Sequence, residues 1–142
     1  MKASARNQFN GTVSEVRIGS VNTEVHVLLK GGEPIVATIT KESAETMGIK
    51  IGKEVIALVK APQIIIVSDF GCYRISARNQ LPGTVTQIKP GVVNSEVDIA
   101  SKGGEQIVAT VTNDSVETLG LCKGQPVTAI FKAGAVILAV VD

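Results

Sequence analysis

Aromatic residues make up only 3% of this chain: three Phe, one Tyr and no Trp. Phe9, Phe70, Tyr73 and Phe131 are too few and too scattered to form the stacking platforms that single-stranded nucleic acid requires. Charge of one sign is equally scarce. Fourteen Lys and Arg stand against thirteen Asp and Glu, with no basic block, so the electrostatic footprint for a phosphate backbone is missing and no nucleic-acid partner is expected. The single histidine, His26, excludes a histidine-based triad and a histidine-rich metal cluster. Two cysteines, Cys72 and Cys122, give no disulfide framework and read as free thiols of a reducing compartment. No apolar run approaches membrane-spanning length, and no apolar stretch follows the charges of Met1-Lys2-Ala3-Ser4-Ala5-Arg6. The expectation is a soluble, cytoplasmic chain with no membrane partner.

What the chain does have is a copy of itself. Residues 4–70 recur as residues 76–142 at a constant offset of seventy-two, without a gap and with roughly half of the positions identical. This predicts two domains, 1–70 and 71–142, joined by a short linker at about Ser68–Ile75. Units of this size lie near the lower limit for a self-sufficient core, so the copies are expected to pack on each other and to oligomerise. The unmatched cysteines fit that view, since Cys72 falls in the linker and Cys122 replaces Lys50.

Within each copy short runs rich in Val, Ile and Thr alternate apolar with polar residues, the pattern of half-buried strands. Thr12–Val16, Glu24–Leu29, Pro34–Ile39, Glu54–Val59 and Ile64–Val67 are predicted strands of the first copy, with Pro126–Phe131 and Ala135–Val141 closing the second. Gly31-Gly32 and Gly103-Gly104 suit tight hairpin turns. They match neither a dinucleotide fingerprint nor a P-loop, because the lysine precedes the glycines. One helix per copy is predicted from Thr40 or Lys41 to Met47 and from Thr112 to Leu119, with Thr and Gly as caps. The fold class is therefore all-β: two tandem OB-like barrels, each with one short helix.

Core positions interchange among Val, Ile, Leu, Met and Ala, whereas three polar elements are kept. They are Ser4-Ala5-Arg6-Asn7 (Ser76-Ala77-Arg78-Asn79), Thr40-x-x-Ser43 (Thr112-x-x-Ser115) and Lys60-Ala61 (Lys132-Ala133). Arg6 and Lys60 bring positive charge and directed donors, and no carboxylate recurs within these motifs to neutralise them. Hydroxyls at a helix start add donors where backbone amides are free. The set suits an anion. Glu24 and Glu96, like Glu45 and Glu117, also recur but read as ordinary surface charges, and His26 reads as a strand residue on the polar face. No catalytic residue and no side-chain metal ligand set emerges, so an enzyme with a catalytic cofactor is not expected.

Ser-Ala-Arg-Asn-Gln, the stretches Gly19–Val25 and Gly91–Val97, the Gly-Gly-Glu turn, the Thr-x-x-Ser helix start and the Lys-Ala step together resemble the Mop, or molbindin, family of molybdate-binding domains in its tandem form. The resemblance covers nearly the whole chain. It implies an OB-like fold, assembly around a threefold axis as a homotrimer, and molybdate or tungstate held at contacts between Mop units. By the same resemblance, Ser4, Ala5, Arg6, Asn7, Lys60 and Ala61 contact the oxyanion, and Thr40 and Ser43 reach it from a neighbouring unit. Ser76, Ala77, Arg78, Asn79, Lys132, Ala133, Thr112 and Ser115 match them in the second copy. A second class of site is implied at Gly19, Ser20, Val21 and Asn22 and at Gly91, Val92, Val93 and Asn94, although Gly and Asn there also suit a plain turn. Absent winged-helix and nucleotide-binding segments, a free-standing storage or buffering role is expected.

Molybdate near neutrality is a tetrahedral dianion with no proton to donate, so its site should hold donors alone. A carboxylate-free pocket would disfavour protonated phosphate by roughly 1–3 kcal/mol, leaving pocket size to exclude sulfate. The alternatives are an OB-fold nucleic-acid module, which needs the basic and aromatic surface missing here, and a ligand-free adaptor, which leaves the repeated Arg, Lys, Thr and Ser unexplained.

Overall fold

The computed structural model describes residues 1–141. Ten strands run in two sheets: β1 (Asn7–Ile18), β2 (Asn22–Leu29), β3 (Pro34–Thr40), β4 (Glu54–Val59) and β5 (Ile65–Val67), then β6 (Asn79–Pro90), β7 (Asn94–Ser101), β8 (Gln106–Thr112), β9 (Pro126–Phe131) and β10 (Ile137–Ala139). Helices α1 (Lys41–Thr46) and α2 (Asn113–Leu119) follow β3 and β8, where Thr40 and Thr112 cap them. The architecture is the expected mostly-β pair of OB-like units. β1 and β6 are longer than the predicted strand because a bulge at Ser14 and Thr86 lets one strand bend through both halves of its sheet.

The sheets do not follow the repeat boundary. Strand order is β10-β4-β1-β2-β3 in one and β5-β9-β6-β7-β8 in the other, so each repeat lends its last strand to its twin. Three-residue 3₁₀ turns at Ala61–Gln63 and Ala133–Ala135, missed in the strand pattern, redirect the chain before that exchange. The predicted strand from Ala135 accordingly begins only at Ile137. Exchange joins the two interiors into one contiguous apolar cluster running from Phe9 to Leu138, which answers the shortage of core that a seventy-residue unit faces alone.

Two further contacts fix the halves together. Asn7 and Asn79 are fully buried; Asn7 Nδ2 donates to Val108 O at 2.8 Å while Val108 N donates to Asn7 Oδ1 at 2.7 Å. Asn79 makes the same pair with Val36, at 2.8 and 2.7 Å. The hairpin turns meet as well: a Cβ on Gly31 would lie 1.9 Å from the Gly103 carbonyl oxygen, so only glycine permits the approach.

Candidate functional site

The retained Ser-Ala-Arg-Asn segments and the turns after the retained lysines face the opposite repeat. Strand alternation turns Thr23, Val25 and Val27 inward, which leaves Asn22, Glu24 and His26 on the outer face of β2, with Thr38 and Thr40 opposite them on β3. The Ser76-Ala77-Arg78 segment lies over this face, since Arg78 Nη2 is 2.7 Å from Glu24 Oε1. Symmetrically, Arg6 Nη2 is 2.6 Å from Glu96 Oε1 on β7. The register pairs Asn22 with Thr40 one same-face step from Glu24, about 7 Å along the strand, which places Arg78 beside the start of α1. The 3₁₀ turn opened by Lys132-Ala133 packs on β3, and that of Lys60-Ala61 on β8, so these too reach the strand that leads into the other repeat's helix.

Two candidate groups follow from this placement. The segments of Ser76, Ala77, Arg78, Lys132 and Ala133 lie against β2 or β3, the strand pair that leads to Thr40 and Ser43, and those of Ser4, Ala5, Arg6, Lys60 and Ala61 lie against β7 or β8, the pair that leads to Thr112 and Ser115. Ser4, Ser76, the arginines, lysines and threonines are exposed and Ser43 and Ser115 half-buried, whereas Ala61 and Ala133 are buried and serve as backbone. Gln8 and Gln80 brace the approach from below, each donating from Nε2 to the carbonyl of Ala5 or Ala77 at 3.2 and 3.0 Å. That role escaped the sequence reading although both glutamines are retained.

The hydroxyls are arranged in relay. Thr40 Oγ1 accepts from the Ser43 amide at 3.0 Å and donates to Ser43 Oγ at 2.8 Å, and Thr112 and Ser115 repeat this at 3.1 and 2.9 Å. Threonine is thus spent as a cap, and the proton left to offer belongs to the serine.

Two expectations change. The arginines are not free of carboxylates: Glu24 and Glu96, read as surface charges, grip them across the repeat boundary, because the fold lays one copy's N-terminal segment on the other copy's β2 or β7. Exclusion of phosphate for want of an acceptor therefore does not follow. The arginines remain half-exposed, and such surface pairs contribute only about 0–1 kcal/mol, less than the 1.5–3 kcal/mol of a charged bond to an anion. Each guanidinium also keeps donors beyond the Nη2 that meets glutamate. Asn7 and Asn79 stand apart from the group, their side chains committed to the inter-repeat backbone pairs.

The carboxylates themselves differ. The Arg78 guanidinium beside Glu24 holds that carboxyl below the usual range, against the opposing effect of burial and with further help from His26. His26 Nε2 lies 3.0 Å from Glu24 and 3.3 Å from Glu15, and Arg17 completes the row at 3.1 Å from Glu15. Among the described residues no group of three or more His, Cys, Asp or Glu is placed to hold a metal ion. No helix among them is long and apolar enough to cross a membrane.

The tips carrying the second residue class are exposed, Val92 fully, and each is fastened to a helix start: Val21 O accepts from Lys41 N and Val93 O from Asn113 N, both at 2.9 Å. Ser20 and Asn22 lie beside Val21 on one tip, and Asn94 beside Val93 on the other. The Gly19 and Gly91 amides are already bonded to Asn22 O and Asn94 O, both at 2.9 Å.

Comparison with known proteins shows the family and the fold. The TOBE domain model matches residues 3–66 and again 75–138. The chain superposes on a crystal structure of the cytoplasmic molybdate-binding protein ModG with molybdate bound, with a TM-score of 0.97 and 49% identity over 99% of this chain and 100% of that one. It is 44% identical to the molybdenum transport protein ModE of Herbaspirillum seropedicae over 99% of its length. It is 42% identical to the molybdenum-pterin-binding protein MopA of Rhodobacter capsulatus over 98%. The chain spans about half the length of these two relatives, 52% of each.

Proposed function

The chain belongs to the TOBE-domain family, as two domains of the Mop type in tandem, and on that premise we propose that it binds molybdate or tungstate and stores or buffers the oxyanion in the cytoplasm without catalysing a reaction. The observation that carries this reading is the double construction of one donor group. Twice, the arginine of one repeat pairs with a β2 or β7 glutamate of the other, and the 3₁₀ turn after the retained lysine packs on the strand that leads into the other repeat's Thr-x-x-Ser helix start. A tetrahedral dianion fits such a group, because lysine and arginine supply charge while serine and backbone amides supply direction. ModG, similar along the full length of this chain, binds molybdate.

The binding units are the halves 1–70 and 71–142, and their contact within the chain supplies the neighbouring helix start. Assembly as a homotrimer would bring three hairpin tips of each kind together and form the second class of site at Gly19–Asn22 and Gly91–Asn94. The exposed Val21, Val92 and Val93 support that, since such tips gain by burial. Selection against sulfate rests on the size of the group.

Elemental analysis of the purified protein tests the ligand, with molybdenum above all other heavy elements as the expected result. Calorimetry with molybdate, tungstate, sulfate and phosphate at matched ionic strength tests the ranking. Equal heats and affinities for sulfate would remove the size argument. Light scattering checks the trimer, and a monomeric mass at micromolar concentration would remove the second class of site.

A further inference from the structure

The carboxylates that grip the two arginines sit in different company, although the repeats agree at the arginines and glutamates themselves. On the outer face of β2, Glu24 takes hydrogen bonds from two donors, Arg78 and His26. On β7 the matching pair is Glu96 and Asp98, a second carboxyl where the first copy has an imidazole. Among the described residues its Oδ1 is buried without a hydrogen-bond partner, and its one ionic neighbour is Lys89 at 3.9 Å. In place of Glu15 the second copy has Gln87, and Thr38 and Thr110 flank both sites alike. The charges that face each other therefore balance equally: Glu24 and Glu15 against Arg78 and Arg17, and Glu96 and Asp98 against Arg6 and Lys89. What differs is placement. In the second copy both negative charges lie on one strand, a single same-face step apart, with Arg6 over the first of them. In the first copy the second negative charge lies one strand away, behind a histidine.

We infer that this placement makes the two oxyanion sites unequal, the one completed by Arg78 tighter and the one completed by Arg6 weaker, with His26 and Asp98 as the residues that set the difference. The inference rests on the oxyanion reading above and adds the order of filling. A dianion arriving at Arg6 meets a second carboxylate, Asp98, on the same strand with no histidine between, and among the described residues Glu96 Oε1 has the Arg6 ion pair but no hydrogen bond. At Arg78 the glutamate retains His26 when the guanidinium turns to the ligand. Neither His26 nor Asp98 touches the oxyanion in this scheme; both act through the glutamate beside the arginine, as positioning residues.

Calorimetric titration of the full chain with molybdate decides the matter, at low and high salt, on the wild type and on Arg6→Ala, Arg78→Ala, Asp98→Asn and His26→Asp. Two affinity classes are expected, the weaker lost in Arg6→Ala and the tighter in Arg78→Ala. Asp98→Asn, which keeps size and shape, should tighten the weaker class about threefold to tenfold at low salt, and the gain should shrink at high salt, as a charge effect must. His26→Asp should weaken the tighter class by a similar factor. A single affinity class in the wild type overturns the inference. So does an Asp98→Asn titration that matches the wild type at low salt, or a gain that persists undiminished at high salt. Absence of any molybdate binding by the wild type overturns the oxyanion reading instead, and the inference with it.

Discussion

The two halves of the molecule keep the same backbone and solve their packing differently. The first has Phe9 on β1 and Val59 on β4; the second has Leu81 and Phe131 at the matching positions, all four buried. The large side chain has moved to the opposite strand while the summed volume has changed little. Cores accept such exchanges because they are constrained by total volume and shape more than by the residue at any one point. No such exchange has occurred at Asn7 and Asn79, where both amide atoms meet a specific backbone pair. Between these extremes lies the outer face, on which Arg and Glu are fixed but their neighbours have drifted from Glu15 and His26 to Gln87 and Asp98. The comparison separates what packing tolerates from what directed hydrogen bonds demand.

The largest effect should come from forcing that separation in the core. Phe9→Ala and Phe131→Ala should each cost about 3–5 kcal/mol in denaturant unfolding. The double variant Phe9→Leu, Val59→Phe imports the second half's solution into the first and should cost less than its two single changes added together. Full additivity would mean that the halves are not interchangeable in packing.

The asparagine pairs come next. Asn79→Ala strands the N–H and C=O of Val36, which is buried, and should cost about 2–4 kcal/mol. Asn7→Ala strands those of Val108, which is only half-buried, and should cost less. Chemical denaturation of both variants checks the order, and the reverse order would indicate that the 3.1 Å bond from Asn7 to Val59 outweighs burial.

At the sites, Arg6→Ala and Arg78→Ala should each remove about 1.5–3 kcal/mol of oxyanion affinity from one half of the stoichiometry and leave the other half intact. If both variants lose all binding while assembly persists, the sites are not separable by repeat. If neither loses any, Ser-Ala-Arg is a structural motif.

The smallest effects should appear in pH dependence. Arg78 keeps the Glu24 carboxyl below its ordinary value of 4.5, so this group's contribution to stability is present above that value and is lost as pH falls through the lowered one. Glu105 runs the other way: burial raises its carboxyl, the nearby Glu33 raises it further, and Lys30 opposes them. Its contribution is fully present below 4.5 and is lost as pH rises through the raised value. Glu105→Gln should therefore flatten the rise in stability seen on first acidifying from neutrality, and Glu24→Gln the fall at lower pH, both read from urea midpoints. A Glu24→Gln profile identical to wild type on the acid side would show that the pair with Arg78 carries no linkage.

The strands, hairpin turns and capped helices were legible because alternation, Gly-Gly and Thr-x-x-Ser act locally, through neighbours a few residues away. The misreadings lie where distant segments meet. Glu24 and Glu96 looked like ordinary strand charges because their partners, Arg78 and Arg6, are 54 and 90 residues away in the chain. The packing role of Asn7 and Asn79 was equally out of sight, because retention marks constraint without telling its kind and Val108 and Val36 lie far along the chain. Gly31 and Gly103 were rightly read as turn residues, yet nothing near them in sequence shows that the two turns touch.

The sequence by itself determined the repeat, the all-β class, the family and the residue types gathered at each site, since these follow from local propensity and from what two copies hold in common. Only the tertiary structure decided that each sheet borrows a strand from the other repeat, that the retained arginines lie on the opposite repeat, and that a glutamate stands at each of them. Those outcomes depend on how two undersized cores bury their surface together, and burial is a property of the closed chain that no short stretch of residues records.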